Sequence, residues 1–225
     1  MPEKFPFDAT ATNVKQWLGR DDPFIVEVGC NDCRTTKTWL DLMPGARVLA
    51  FEPDERPLER NVCEEDERVT IHRIAISDRD GMAEFIPSTG EVPHSKEPCK
   101  HDWDMSGSLH RPTGHLQRDQ YVKFADAMEI ATTRLDYFTW MWAFDPDGRR
   151  CVDLIWADVQ GAQARLILGA QQTLRRTRYV YMELRPNDQE QYWREPSLEA
   201  ILAFMPDFDL VATYSNNALL KNREL

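Results

Sequence analysis

No run of this 225-residue chain approaches the roughly 20 consecutive apolar residues that a membrane span requires. Its first residues, MPEKFPFDATATNVKQWLGRDD, contain no apolar leader core and no small-residue cleavage pattern, so no secretory signal is expected. Cations are outnumbered, 27 Lys and Arg against 38 Asp and Glu, and the net charge of -11 speaks against a nucleic-acid partner, because phosphate tracking is driven by cationic side chains. The longest local basic excess, LRRTR at 174–178, reads as a helix C-terminus whose cations complement the helix dipole. Cysteines are few and odd in number, five in all, which does not resemble a secreted disulfide framework and makes a reducing cytoplasm the expected setting. Internal repeats and low-complexity linkers are absent too, so a single domain over 1–225 is the economical organisation.

What the chain does have is an ordinary core complement, 42% hydrophobic residues, arranged as short apolar runs alternating with helical periods. FIVEVG (24–29), RVLAFEP (47–53), RVTIHRIAIS (68–77), VDLIWADV (152–159) and RYVYMELR (178–185) read as five strands. Between them lie helices at 35–43, 54–66 (with Leu58 and Val62 one turn apart), 132–144 (opened by a capping-box spacing of Thr133 and Asp136), 161–177 and 196–205. FDLVATYS and NALLKNR, around Asn216-Asn217, form a closing hairpin. Residues 1–23 read as an N-terminal helical extension. Residues 88–128, rich in proline and histidine and without period, read as an irregular substrate or lid insertion.

In an open parallel sheet ligands bind beyond the carboxyl ends of the strands, so the turn after FIVEVG is the first place to look. A dinucleotide fingerprint needs G-x-G-x-x-G there, and this chain offers Gly29 alone, with Asn31 and Arg34 where later glycines would stand. Glu52, closing the second strand, is placed to accept hydrogen bonds from two ribose hydroxyls. That acid suits either a nicotinamide cofactor or S-adenosylmethionine. The poor glycine pattern and the flanking acids Glu27 and Asp32 favour a cationic cofactor without phosphates.

VEVGCND followed by FEP, IAISDRDGMAEF, SGSL, TTRLD, DLIWADVQGAQARLILGA and YVYMEL stand in the order found in FkbM-type methyltransferases, which the chain resembles over residues 24–220. The resemblance implies an α/β Rossmann-like class I methyltransferase fold: a seven-stranded, mostly parallel sheet with an antiparallel last strand and helices on both faces. It implies S-adenosyl-L-methionine as cofactor, with Glu27, Gly29, Cys30 and Asn31 around the methionine portion, Glu52 on the ribose, and Pro53 beside the adenine. Ala75, Ile76, Ser77 and Asp78 border the adenine, and Ser108 of SGSL returns towards the cofactor. Three positions depart from the family pattern: Cys33 replaces a loop glycine, Gln163 replaces an acid, and Trp156 stands where lysine is frequent.

Methyl transfer to an aliphatic hydroxyl needs alignment and a base within hydrogen-bond reach. Asp158, at the end of the fourth strand, is the first candidate, with capping of the next helix as the structural alternative. Glu183, at the end of the fifth strand, is the second, and His110, directly after SGSL, the third. Asp158 and Glu183 together could hold a magnesium ion, but no third ligand is evident, so a divalent metal is not favoured. His94, His101 and His115 share the irregular segment with His110, without zinc-ligand spacing. Tyr137, Phe138, Trp140 and Trp142 offer a sugar-stacking platform, although aromatics at helical spacing more commonly pack the core.

The pair Cys30 and Cys33 has C-x-x-C spacing, yet Cys63, Cys99 and Cys151 are isolated singles that supply no matching pair for zinc. Both cysteines therefore read as parts of a cofactor loop. The expected activity is O-methylation of a sugar, glycan or natural-product hydroxyl. N- or protein methylation and a non-catalytic cofactor-binding role are the alternatives. The acceptor is expected to be a small molecule or carbohydrate; oligomeric state is left open, a homodimer among the options.

Overall fold

The computed structural model describes residues 2–90, 102–142, 151–184 and 190–225, with backbone alone for 139–142. A short strand β1 (Glu3–Phe5) and the helix α1 (Ala11–Leu18) precede the first core strand, β2 (Phe24–Val28). Helix α1 opens on a capping box between Thr10 and Asn13 and closes on Gly19 in the left-handed region, with φ 64°. The chain continues through α2 (Arg34–Leu42), β3 (Arg47–Phe51), α3 (Glu55–Leu58), β4 (Val69–His72), β5 (Ala75–Ile76), β6 (Gly81–Phe85) and β7 (Ser88–Gly90). Next come α4 (His115–Arg118), β8 (Val122–Phe124), β9 (Met128–Thr133), α5 (Leu135–Trp142) and β10 (Val152–Ala157). The last part holds α6 (Gln163–Leu168), α7 (Gln171–Leu174), β11 (Thr177–Glu183), α8 (Leu198–Phe204), β12 (Phe208–Tyr214) and β13 (Asn217–Asn222).

The main sheet runs β1-β12-β13-β11-β10-β2-β3-β4. Strands β4, β3, β2, β10 and β11 pair in parallel, whereas β13 is antiparallel to both β11 and β12. The chain builds outward from β2 to β4, then returns to β10 and builds the other way, which leaves the switch point between β2 and β10. The expected class I plan is therefore present, with one edge strand more than expected. That extra strand is β1, whose three exposed residues pair in parallel with the rim of β12 (Glu3 opposite Ala212). Without alternating burial it carries no strand signal in the sequence, which indicates only the helical extension.

Alternation along the buried strands divides the core into two layers. Val26, Leu49 and Ile155 pack on one face with Leu166 and Val180, while Ile25, Val48 and Leu154 pack on the other with Trp39 and Tyr181.

Several element boundaries differ from the sequence reading, each for a tertiary reason. The charged helix over 54–66 stops at Leu58, because the Val62 amide donates to the Asp32 carbonyl and draws the chain onto the loop after β2. The strand over 68–77 breaks after His72, and Ala75–Ile76 join a separate sheet, β5-β9-β6. The helix over 161–177 breaks at Gly169, where a Cβ would lie 1.9 Å from the Ser77 carbonyl oxygen. Thr133 and Asp136 form no capping box. Thr133 ends β9 and donates its hydroxyl to Asp80, while the Asp136 carboxylate accepts the Gln172 and Thr173 amides and so caps α7. Arg178 belongs to β11 rather than to a helix end and pairs with buried Asp153 at 3.1 Å. Within 88–128 the described residues include the antiparallel ribbon β7–β8 and the one-turn helix α4.

Candidate active site

The loop after β2 carries three left-handed residues, Gly29 (φ 85°), Asn31 (φ 48°) and Cys33 (φ 62°). Cys33 thus adopts a left-handed backbone that a glycine would take freely, at a cost of about 1–2 kcal/mol. The amides of Gly29 and Cys30 both donate to the Phe51 carbonyl, at 2.9 and 3.1 Å, and hold this loop against the end of β3. There Glu52 accepts the Asn31 amide on one oxygen at 3.0 Å and the Asp54 amide on the other at 2.9 Å. Burial pushes the Glu52 carboxyl up to about 8, against the pull of those two donors. Glu27 lies deeper; burial raises it well above the usual carboxylate range, opposed by the Thr36 hydroxyl that donates to it.

Over this floor folds the segment 102–110 from the insertion. Ser108 and Ile86 exchange backbone hydrogen bonds at 2.8 and 3.1 Å, which brings SGSL alongside β6. Gly107 allows that approach, since a Cβ there would fall 2.4 Å from the Phe85 ring. The Asn31 side-chain amide donates to the Asp104 carbonyl at 3.2 Å, and Arg60 pairs with the Asp104 carboxylate at 2.6 Å. The roof is thereby tied to the loop after β2.

Between floor and roof lies a two-lobed cleft at the carboxyl ends of β2, β3 and β10. Gly29, Glu52, Phe85, Gly107 and Asp158 line both lobes. The smaller, of about 430 Å³, is an apolar slot walled by Phe51, Pro53, Ile76, Leu109 and Val159, with Ser108 at its edge. The larger, of about 860 Å³, is polar and open, with Glu27, Cys30, Asn31, Arg34, Trp156 and Gln160 on its walls. Cys30 is a buried neutral lining thiol, pushed up by its hydrogen bond to Cys33 and by burial.

Of the residues singled out from sequence, Glu27, Gly29, Cys30, Asn31, Glu52, Pro53, Ile76, Ser108 and Asp158 come together in this cleft. Ser77 and Asp78 stand behind it: the Ser77 amide donates to the Thr133 carbonyl and its hydroxyl to Asp78 at 2.9 Å. Glu183 does not line either lobe; its carboxylate accepts from the Gln160 side chain at 3.3 Å. The His110 ring lies outside the lining with Nδ1 2.9 Å from the Trp193 carbonyl. A carbonyl only accepts, so the proton sits on Nδ1, and burial with the nearby Arg165 charge keeps the ring below its ordinary value. His115 is buried against Phe124 and Tyr192. His94 and His101, Cys99, and the side chains of Trp140 and Trp142 lie outside the described residues. Phe138 packs edge-on to Phe51 at 5.0 Å, as core, while Tyr137 is exposed. Among the described residues no group of three or more His, Cys, Asp or Glu could hold a metal ion, and no helix is long and apolar enough to cross a membrane.

Sequence reasoning missed Arg60, Asp104, Gln160 and Tyr192. Only Gln160 left a trace, in its position before Gly161: both adopt positive φ, at 49° and 90°. Gln163 is fully buried and donates to the Glu183 backbone carbonyl at 2.9 Å, a bond an ionised carboxylate could not make.

A model of the methyltransferase FkbM domain matches residues 27–214, most of the chain. The chain belongs to the FkbM methyltransferase family. It is 39% identical over 216 residues to the 2-O-methyltransferase NoeI of Sinorhizobium fredii (strain NBRC 101917 / NGR234), covering 92% of this chain and 83% of that protein. Solved structures that align with it include a putative rRNA methylase from Clostridium thermocellum (TM-score 0.47, 10% identity, 94% of this chain and 92% of that one). N-methyltransferase NodS from Bradyrhizobium japonicum WM9 aligns with TM-score 0.45 at 10% identity, covering 94% and 93%.

The cleft of this FkbM methyltransferase fits S-adenosylmethionine. The apolar slot suits a flat adenine, and Glu52, one backbone amide on each oxygen, keeps a lone pair on each for ribose hydroxyls. Gly29 and Gly107 leave bare backbone on both sides. The acids of the larger lobe suit a sulfonium cation better than a phosphate.

Proposed function

We propose that this FkbM methyltransferase methylates a hydroxyl of a sugar or hydroxyl-bearing natural product, with Asp158 as the general base. The observation that carries this reading is the position of Asp158: an exposed carboxylate at the end of β10, on the wall common to both lobes. The name of the relative, a 2-O-methyltransferase, supports a hydroxyl acceptor.

When bound, S-adenosylmethionine supplies an electrophilic methyl group on a sulfonium. The chain's own part is to place an acceptor oxygen in line with that methyl and to take the hydroxyl proton. Glu52, Pro53, Ile76 and Ser108 hold the adenosine end; Glu27, Gly29, Cys30 and Asn31 surround the amino-acid end. In the larger lobe the Trp156 indole is fixed by stacking on Tyr181 (ring centroids 4.1 Å apart) and by a T-shaped contact with Trp39 at 5.2 Å. A rigid aromatic face beside a carboxylate matches a neutral sugar ring, whose C–H face stacks while its hydroxyls donate.

Incubating the protein with methyl-labelled S-adenosylmethionine and a panel of methyl glycosides, oligosaccharides and peptides tests this reading. Label on a sugar oxygen is the expected result; label confined to peptide nitrogen would replace it with N-methylation.

A further inference from the structure

Gln160 sits at a junction of four chain segments. Its side-chain Nε2 donates to the Asp158 carboxylate and, at 3.3 Å, to Glu183. Its Oε1 lies 2.8 Å from the Tyr192 hydroxyl, which shares its one proton between that oxygen and the Ser106 carbonyl at 2.9 Å, and its backbone carbonyl accepts the Ser108 hydroxyl of the roof at 2.5 Å. The orientation of the amide is not arbitrary. Turned over, it would present a carbonyl oxygen to two carboxylates that only accept when ionised.

Tyr192 is itself held firmly. Its side chain is fully buried, it bridges Pro112, and a Cβ on Gly161 would lie 2.6 Å from its Cβ. The bare Gly161 and the left-handed Gln160 before it let the backbone turn under the ring and return the amide to Asp158. None of this is needed to cap α6, whose N-cap Ala162 makes no side-chain bond.

We propose that Gln160 is a positioning residue for the reaction: oriented by Tyr192, its amide holds the Asp158 carboxylate in its ionised form against the acceptor lobe. This rests on the reading of Asp158 as the base. Two carboxylates face one amide, so the same –NH2 group separates the charges of Asp158 and Glu183 and gives each a donor. Tyr192 acts one step further back, through Gln160.

The test needs no acceptor for its main readout. Protein labelled with 13C at the aspartate carboxyls and saturated with S-adenosylhomocysteine is titrated by NMR, with the Asp158 resonance assigned from Asp158→Asn. In Gln160→Met, which keeps length but removes the donor, the proton affinity of Asp158 is expected to rise about tenfold. Tyr192→Phe should move it in the same direction by less. Both variants should bind S-adenosylhomocysteine within about threefold of the parent, which separates this effect from collapse of the site. On a methyl glycoside that the parent methylates, kcat should fall with KM little changed, and the acid limb of the rate profile should move to higher pH. An Asp158 titration unchanged in Gln160→Met overturns the proposal; if that variant fails to fold, an unchanged titration in Tyr192→Phe does so. Full turnover in Asp158→Asn would remove the base assignment and this proposal together. A dead Asp158→Asn with an unmoved titration in Gln160→Met removes the proposal alone.

Discussion

Gly29 and Asp158 touch through their backbones: a Cβ on Gly29 would lie 2.0 Å from the Asp158 carbonyl oxygen. The same glycine has φ 85°, so both space and backbone conformation require it. This contact closes the switch point, binding the loop after β2 to the end of β10. Gly29→Ala should cost about 1–3 kcal/mol of backbone strain alone and abolish measurable S-adenosylhomocysteine binding. Urea melts and titration calorimetry check both; full cofactor affinity in the variant would contradict the placement of the loop.

Glu52 predicts a pH dependence. With its carboxyl at about 8 in the cofactor-free protein, ribose hydroxyls must bind a group that first gives up its proton at neutral pH. Cofactor affinity should therefore rise with pH up to about 8, by at most about tenfold per pH unit, and level off above. Glu52→Gln should bind weakly with a flat profile. Stability of the cofactor-free protein runs the other way. A folded value raised above the ordinary 4.5 means the contribution is complete below that pH and is lost as pH rises through about 8. Calorimetric titrations and thermal melts at pH 6 to 9 follow both trends.

Asp158→Asn should lower kcat by about 10²–10⁴ while leaving cofactor affinity nearly unchanged. His110→Ala, whose ring lies outside the cleft lining, should change kcat by less than about threefold. Steady-state kinetics on an acceptor found in the glycoside panel decide between them. The opposite ranking would move the base from the strand end to the roof.

Trp156 offers a test of acceptor chemistry. Trp156→Leu should raise the acceptor KM by roughly threefold to tenfold, the worth of a lost aromatic face, with the dissociation constant for S-adenosylhomocysteine unchanged. An unaltered KM would show that the acceptor does not stack there.

The Cys30 thiol, buried and pushed up by Cys33 and by burial, should react slowly with iodoacetamide at neutral pH, and more slowly still with S-adenosylhomocysteine bound. Once modified, the protein should no longer bind cofactor, because Cys30 lines the larger lobe. Chelators should leave binding intact. Mass spectrometry of the alkylated peptide beside binding titrations reads all three outcomes.

Sequence alone determined the alternation of strands and helices, the placing of Gly29 and Glu52 at strand ends, and the closing hairpin. These are local signals: apolar runs for strands buried on both faces, and strand-end turns whose residues are adjacent in the chain. The sequence also placed Cys30 and Cys33 in the turn after the first core strand, where they are found.

Only the tertiary structure decided which candidate acids meet in the cleft. It ended the helix over 54–66 early, where the Val62 amide turns to the Asp32 carbonyl, and broke the helix over 161–177 at Gly169, whose carbonyl accepts the Asp136 amide and whose bare Cα lies against the Ser77 carbonyl. It also turned Asp136 from the cap of its own helix to the cap of α7. Arg60 and Asp104, or Gln160 and Tyr192, lie far apart in the chain and have no period or motif in common. Their partnership comes from a roof and a floor folded onto one cleft, where buried polar groups must find partners or lose their hydration without return.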